Sequence, residues 1–259
     1  MISESSAKRY FRRTGTVSRW WTPENGEGLL HDFYDEQVRW VLNAFNWEGK
    51  RVLDVGAGAG RFAVPIAKLG GEVCSIDLSR DMLLRARERS YVERVNADLC
   101  LADAEHLPFP GGVFDGVICL EVIMHVPNPA KAVHEMARVA KKGGLVLVSM
   151  TNNLSLASLG WFPAKIRSLV RSPGDPKTCI PHWTHSTYRF SVFLRSANLR
   201  ICSIRAQGLF PPVDTPLFRR RVFRWFFSRI EPQLRESFLR HVMRTVIFTA
   251  RRSEGSGRR

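Results

Sequence analysis

Hydrophobic positions change their period along the chain. Between residues 31 and 47, Phe33, Val38, Val41, Leu42 and Phe45 fall on one face of a repeat of about 3.6 residues, which predicts an amphipathic helix ended by Glu48-Gly49-Lys50. From Arg51 short apolar runs take over. RVLDV reads as a strand, GAGAGRF as a glycine-rich turn, and AVPIAKLG as a helix closed by Gly70-Gly71, with Pro65 tolerable only in its first turn. The cycle repeats: EVCSIDLS is a second strand, Arg80 to Ser90 a helix, and RVNADLCLAD a third strand with Val95, Ala97, Leu99 and Leu101 on one face. After the turn LPFPGG come FDGVICLEVI as a fourth strand, PAKAVHEMARVA as a helix, KKGG as a stop and LVLVSM as a fifth strand.

Strands alternating with helices at this spacing predict an α/β fold of the Rossmann-like, doubly wound type. Its mostly parallel sheet carries helices on both faces, with a ligand crevice at the carboxyl ends of the strands. Beyond Met150 the rhythm breaks. Residues 151–185, with Trp161, Trp183 and four prolines, are too long for an ordinary connector and read as a substrate-side insertion or lid. TYRFSVFLRSAN then predicts a helix with Ser186 as N-cap, RICSIRA a sixth strand and HVMRTVIFTARR a seventh, before a tail, SEGSGRR, that reads as disordered. The expected organisation is one domain over 1–259: an N-terminal cap (1–37), a core (38–150), the insertion (151–185), and a C-terminal helix and strand region (186–259).

Charge sharpens this division. The 259 residues carry a net charge of +15, yet residues 1–49 hold 6 basic and 7 acidic side chains and residues 50–150 hold 13 and 12. Residues 151–259 hold 20 and 5, so the excess lies entirely there. No apolar run approaches the ~18 residues that span a bilayer, and no apolar stretch of a secretory signal follows the basic N-terminus, so a cytoplasmic protein is expected. Five cysteines without a CxxC pair support neither a disulfide framework nor a zinc site.

The glycine turn is the first candidate site. Asp54-Val55-Gly56-Ala57-Gly58-Ala59-Gly60 follows a strand and opens a helix, and Asp77 ends the next strand 21 residues after Gly56, where a carboxylate can accept from both hydroxyls of a ribose. The glycine spacing departs from the dinucleotide pattern G-x-G-x-x-G. Asp54 beside the turn would repel a pyrophosphate and suits a cationic amino-acid end, or else simply stabilises the turn.

These segments, with LADAEHLPFP and FDGVICLEVI, resemble the nucleotide-binding motifs of class I S-adenosylmethionine-dependent methyltransferases of the small-molecule type. The resemblance covers roughly residues 38–150 with high specificity and 186–206 with less. It implies S-adenosyl-L-methionine as cofactor, with S-adenosyl-L-homocysteine as product. Gly56, Ala57, Gly58 and Gly60 would border the methionine portion and Asp77, beside Leu78, would hold the ribose. Asp103 would face the adenine amino group, and Ala104, Leu107 and Leu120 would pack near the cofactor.

Methyl transfer from a sulfonium is an in-line displacement, so few groups beyond a dry, well-shaped pocket are needed. The stretch EVIMHVPNP is similar to ubiquinone-biosynthesis O-methyltransferases, in which a glutamate, a second glutamate and a histidine accompany a divalent metal. Glu121 and His125 match the outer two; Met124 replaces the middle carboxylate, and hard cations prefer several oxygens, so no metal is expected. His125, whose imidazole titrates near neutrality, reads as a general base, as an acceptor-orienting group, or as scaffolding of its loop. His182 and His185 offer polar contacts to an acceptor or are surface-loop histidines. Tyr10, Phe11, Trp20 and Trp21 either fold over the cofactor and acceptor, as N-terminal segments of this family do, or cap the sheet edge.

Within the basic third, residues 217–230 form an amphipathic pattern. Arg220, Arg221 and Arg224 share one arc opposite Phe218, Val222, Phe223 and Phe226. This predicts a helix that packs on the protein's own core or a second subunit, covers a lipid-like acceptor, or touches a membrane surface peripherally. Nucleic acid is not the expected partner, because the core is nearly neutral and no N/D-P-P-F/Y motif follows the fourth strand. The expected function is methyl transfer to oxygen or nitrogen of a small, partly apolar or lipid- or glycan-linked acceptor, by a monomer or homodimer. The alternatives are a quinone-pathway methyltransferase acting on a ring carbon or hydroxyl, and a non-catalytic cofactor-binding module.

Overall fold

A computed structural model describes residues 6–12, 29–155, 183–208 and 242–254, together with Trp225, Arg229 and Gln233. Its strands are β1 (Arg51–Val55), β2 (Glu72–Asp77), β3 (Ala97–Leu101), β4 (Phe114–Cys119), β5 (Ala140–Thr151), β6 (Leu199–Gln207) and β7 (Thr245–Arg252). The described helices are α1 (Ser6–Arg12), α2 (Leu29–Asn43), α3 (Ala63–Lys68), α4 (Arg80–Val92), α5 (Pro129–Val139) and α6 (Thr187–Ser196). The seven strands form one sheet in the order β3-β2-β1-β4-β5-β7-β6. The pairings from β3 through β5 are parallel, and β7 runs antiparallel to both β5 and β6. This is the α/β architecture that the alternation of apolar runs predicts.

The central strands are apolar along their length because both faces are covered. On one face Val41, Trp47, Phe62, Ala63 and Ile66 pack against Val52, Ile118 and Leu145. On the other, Val133, Met136, Phe190 and Leu194 meet Val117, Val146 and Phe248. Gly116 interrupts β4 for a packing reason: a Cβ there would stand 2.9 Å from the Trp47 ring, whose indole N–H donates to the Val41 carbonyl at 3.1 Å. Local signals place the helix starts. The Ser79 hydroxyl caps α4, Asn128 caps α5 ahead of Pro129, and Ser186 caps α6 as expected.

Three boundaries differ from the pattern-based expectation. The fourth strand ends at Cys119 and does not continue to Ile123, because Glu121 adopts a left-handed φ of 59° and Ile123–His125 coil into one 3₁₀ turn. Lys141–Gly144 do not stop the chain after the helix. They bulge within β5, where Phe114 pairs with Ala140 but Gly116 pairs with Leu145, and Lys141 is held by Asp115 at 2.8 Å. The third strand is shorter, Ala97–Leu101, and lies at the sheet edge, so its expected apolar face is only partly buried and Leu101 is 60% exposed. Most of the 217–230 helix, and the tail from residue 255, lie outside the described residues.

Strand order reverses beside β1, whose neighbours are β2 and β4. The loops after these three strands splay apart there and open a crevice at their carboxyl ends.

Candidate functional site

A cleft of about 1080 Å³, counting its open mouth, occupies that crevice. Of the residues singled out in the sequence, Gly56, Ala57, Gly58, Asp77, Leu78, Asp103, Ala104, Leu120, Glu121 and His125 line it.

The floor is the turn after β1. Gly56, Gly58 and Gly60 all take positive φ, at 72°, 55° and 79°. Each answers a different demand. A Cβ on Gly56 would stand 2.4 Å from Val122, so the turn lies against the loop after β4, whereas a Cβ on Gly58 would meet nothing within 4 Å and would project into open space. Gly60 faces Val64 and Ala86 and does not line the cleft. The amides of Gly56 and Ala57 donate back to the Ile76 carbonyl at 2.8 and 2.9 Å, joining this turn to the end of β2.

Two acids support the turn from below. Asp77 accepts from the Gly58 amide at 2.9 Å and from the Ser79 amide at 2.8 Å; burial raises its pKa against these bonds. Asp54 is buried at 1% exposure and does not itself line the cleft. Burial, then the nearby Asp77, pushes its carboxyl up to about 7, although the Ala63 amide at the start of α3 and Arg61 pull the other way. One of its oxygens, Oδ2, has no hydrogen-bond partner, an orphaned acceptor beneath a glycine cradle.

At the far end Asp103 and Ala104 follow β3. Asp103 Oδ1 accepts from the Glu105 amide at 3.0 Å, and Oδ2 lies 2.6 Å from the Lys8 ammonium, which also reaches Glu105 at 2.8 Å. Burial raises the Asp103 carboxyl, but Lys8 and the Glu105 amide outweigh it, leaving it below its ordinary range. His106 completes an acidic cluster here, yet it pairs with Lys131, so ammonium groups already answer these donors. Leu107, expected at the ligand, is buried in the core instead; its amide donates to Glu135 at 2.8 Å, and its carbonyl accepts from Arg138 at 2.9 Å.

The third wall comes from the loop after β4. Glu121 Oε1 accepts from Gln37 at 3.1 Å and from the Ser149 hydroxyl at 3.4 Å, while its own amide donates to Ser149 at 2.7 Å. Burial raises the Glu121 carboxyl against Gln37, Arg244 and Arg61. The imidazole of His125 lies 5.3 Å from the ring of Phe11, so α1 and this loop close on one another. Met124 points elsewhere. It is 5% exposed in the core, where its sulfur accepts from the Thr151 hydroxyl at 3.6 Å. Among the described residues Glu121 and His125 therefore have no third ligand between them, and this donor set does not fit a hard divalent cation.

Tyr10 and His185 do not line the cleft. Tyr10 sits on α1 with its edge against Phe11 at 5.3 Å. His185, 8% exposed, contacts the rings of Phe190 and Phe193, and neither of its nitrogens has a partner. Trp20, Trp21 and His182 lie outside the described residues. Sequence reasoning missed Lys8 and Arg61, both of which line the cleft. Arg61 could have been found from its place directly after Gly60; Lys8 carries no local signal.

Comparison with known proteins agrees with this geometry. Residues 53–148 match the family model described as a methyltransferase domain. A ubiquinone biosynthesis O-methyltransferase of Azoarcus sp. is 39% identical over 193 residues, covering 72% of this chain and 79% of that one. One of Xanthomonas oryzae is 33% identical over 192 residues, covering 71% and 77%. Among solved structures, magnesium protoporphyrin IX methyltransferase of Synechocystis, with S-adenosylhomocysteine bound, superposes with a TM-score of 0.64 at 21% identity, covering 95% of this chain and 98% of that one. Family match, shared sequence and shared sheet converge on one conclusion: the chain belongs to the class I S-adenosylmethionine-dependent methyltransferases and is an enzyme of that kind.

Proposed function

We propose that this enzyme methylates a hydroxyl oxygen of a small, partly apolar phenolic acceptor, of the kind the names of its quinone-pathway relatives indicate. The observation that carries the reading is the shared wall of the cleft: Glu121 and His125 line the same cavity as the glycine turn and Asp77, facing the place where a ligand on the turn would end. Likeness to the ubiquinone biosynthesis O-methyltransferases over most of their length favours oxygen as the accepting atom.

The residues fit S-adenosylmethionine from end to end. Asp77 keeps acceptor capacity for ribose hydroxyls beyond the two amides it already holds, the open space at Gly58 admits a close ligand, and the orphaned oxygen of Asp54 suits an ammonium. Asp103 and Ala104 lie at the adenine end. When bound, the cofactor supplies a methyl group on a positively charged sulfur.

The chain's own part is placement and proton removal. Leu120, Val122, Val126 and Phe11 make the cleft apolar where an aromatic ring would lie and exclude water from it. His125 takes the acceptor's hydroxyl proton as the new C–O bond forms and the C–S bond breaks, with the sulfur keeping the electron pair. Glu121, fixed by Gln37 and Ser149, orients the acceptor. No step passes through a metal, since Met124 is turned into the core. The aromatic and arginine-rich segment 217–230, of which Trp225 is 60% exposed, supports an acceptor with a lipid-like tail. The test is transfer of labelled methyl from S-adenosylmethionine to 4-methylcatechol, expected with the wild-type chain and strongly slowed in His125→Ala.

A further inference from the structure

Arg61 follows the glycine turn and enters the cleft without an acid partner. The guanidinium carbon stands 3.5 Å from the centroid of the Tyr34 ring, stacked on its face. Among the described residues it forms no salt bridge, although Asp54, Glu121 and Asp77 all lie around the same crevice. Tyr34, on α2, is half-buried with its ring edge-on to Phe33 at 5.2 Å, so the platform beneath the guanidinium is held by the packing of α2.

A guanidinium seated over a ring has lost much of its rotamer freedom, and Arg61, which meets no carboxylate among the described residues, carries more N–H donors than Tyr34 can take, the arrangement suited to a carboxylate. The other basic side chains on the cleft wall are differently placed. Lys8 lies at the opposite end between Asp103 and Glu105, and His125 stands after β4. On the reading proposed above, the glycine turn borders the amino-acid end of the cofactor, which carries one ammonium and one carboxylate. Asp54 offers the orphaned oxygen for the first. Nothing acidic can serve the second.

We propose that Arg61, held flat on Tyr34, is the counter-charge for the carboxylate of S-adenosylmethionine, and so the residue by which this enzyme selects the intact amino-acid end of its cofactor. Arg61 and Asp54 then read the two opposite charges of one zwitterion from opposite sides of the turn. Placement of the sulfonium follows from that grip, since both charged groups are attached to one carbon, the third from the sulfur.

Equilibrium binding to two nucleotides tests this. S-Adenosylmethionine and its decarboxylated analogue share the adenosine, the sulfonium and the ammonium and differ only in the carboxylate. The wild-type chain is expected to prefer the intact cofactor about 10- to 100-fold, the range of a charge-assisted bond. Arg61→Met is expected to lose that preference while binding the analogue as the wild type does, which also shows that the variant is folded. Arg61→Lys is expected to retain part of it, and Tyr34→Phe, which keeps the platform, most of it. Equal affinity of the wild type for both nucleotides would overturn the proposal, as would an equal loss for both in Arg61→Met. A raised acceptor KM with unchanged cofactor affinity would overturn it too, assigning Arg61 to an anionic acceptor. Failure of the wild type to bind either nucleotide would overturn the proposed function itself.

Discussion

The Gly58 amide donates to the Asp77 carboxylate at 2.9 Å, and the other oxygen of that carboxylate accepts from the Ser79 amide at 2.8 Å. One side chain at the end of β2 therefore fixes both the glycine turn and the start of α4. Asp77→Ala removes this tie together with the proposed ribose acceptor. Its affinity for S-adenosylhomocysteine is expected to fall by roughly 10- to 100-fold by calorimetry, with a stability loss of about 1–3 kcal/mol in urea unfolding. Undiminished affinity would remove Asp77 from the site.

Two glycines of the turn should respond differently to the same change. At Gly56 an alanine Cβ meets Val122 at 2.4 Å, so Gly56→Ala is expected to destabilise the fold and lower Tm. At Gly58 the added methyl has open space, leaving only a left-handed strain of about 1–2 kcal/mol. Gly58→Ala should lose more cofactor affinity than stability, because the methyl stands in the cleft. Parallel melting and binding curves separate the two.

The buried Asp54 carboxyl, pushed up to about 7 by its burial, sets a pH dependence whose sign is definite. In the ligand-free fold it holds its proton more tightly than in the unfolded chain. Its contribution to stability therefore declines as pH rises from its unfolded value near 3.8 to about 7, then stays level. An ammonium bound beside it favours the ionised form. Affinity for S-adenosylhomocysteine is expected to rise between pH 6 and pH 7.5, by up to about tenfold per unit, and Asp54→Asn to flatten the rise. Titrations across that range check it.

Much of this organisation was legible beforehand, for physical reasons visible in particular residues. Asp54, the glycines and Asp77 announce themselves because backbone geometry and strand length force them to fixed spacings. Glu121 was identified but misplaced on a strand, since only its left-handed φ ends β4 there, and no local pattern predicts that for a glutamate. Gly143-Gly144 read as a stop because glycine ends helices, whereas pairing with β4 and the Lys141–Asp115 contact draw the segment into β5 as a bulge. Lys8 was invisible because it reaches Glu105 across more than 90 residues of intervening chain.

Lys8 also makes a prediction. Its ion pairs with Asp103 and Glu105 involve side chains that are each 15% exposed or less, so they are screened less than surface pairs and tether α1 to the adenine end. Lys8→Met is expected to speed tryptic cleavage after Arg9 and Arg12 and to hasten release of S-adenosylhomocysteine. Unchanged cleavage and release would show that α1 is held by other contacts.

Met124 buried against Thr151 leaves Glu121 and His125 without a third ligand among the described residues, so dialysis against a chelator should leave activity intact. His125→Ala should lower kcat by about 10²-fold or more while S-adenosylhomocysteine affinity is unchanged. A loss on chelation that added magnesium restores would reverse that assignment.

The central claim is methyl transfer to a phenolic oxygen at the wall formed by Glu121 and His125. Its most direct measurement is mass-resolved product analysis after incubating the chelator-treated enzyme with methyl-labelled S-adenosylmethionine and 4-methylcatechol. The expected result is one labelled methyl on a ring oxygen for each S-adenosylhomocysteine formed, abolished in Asp77→Ala and strongly slowed in His125→Ala. Label on a ring carbon, or full oxygen methylation by His125→Ala, would contradict it.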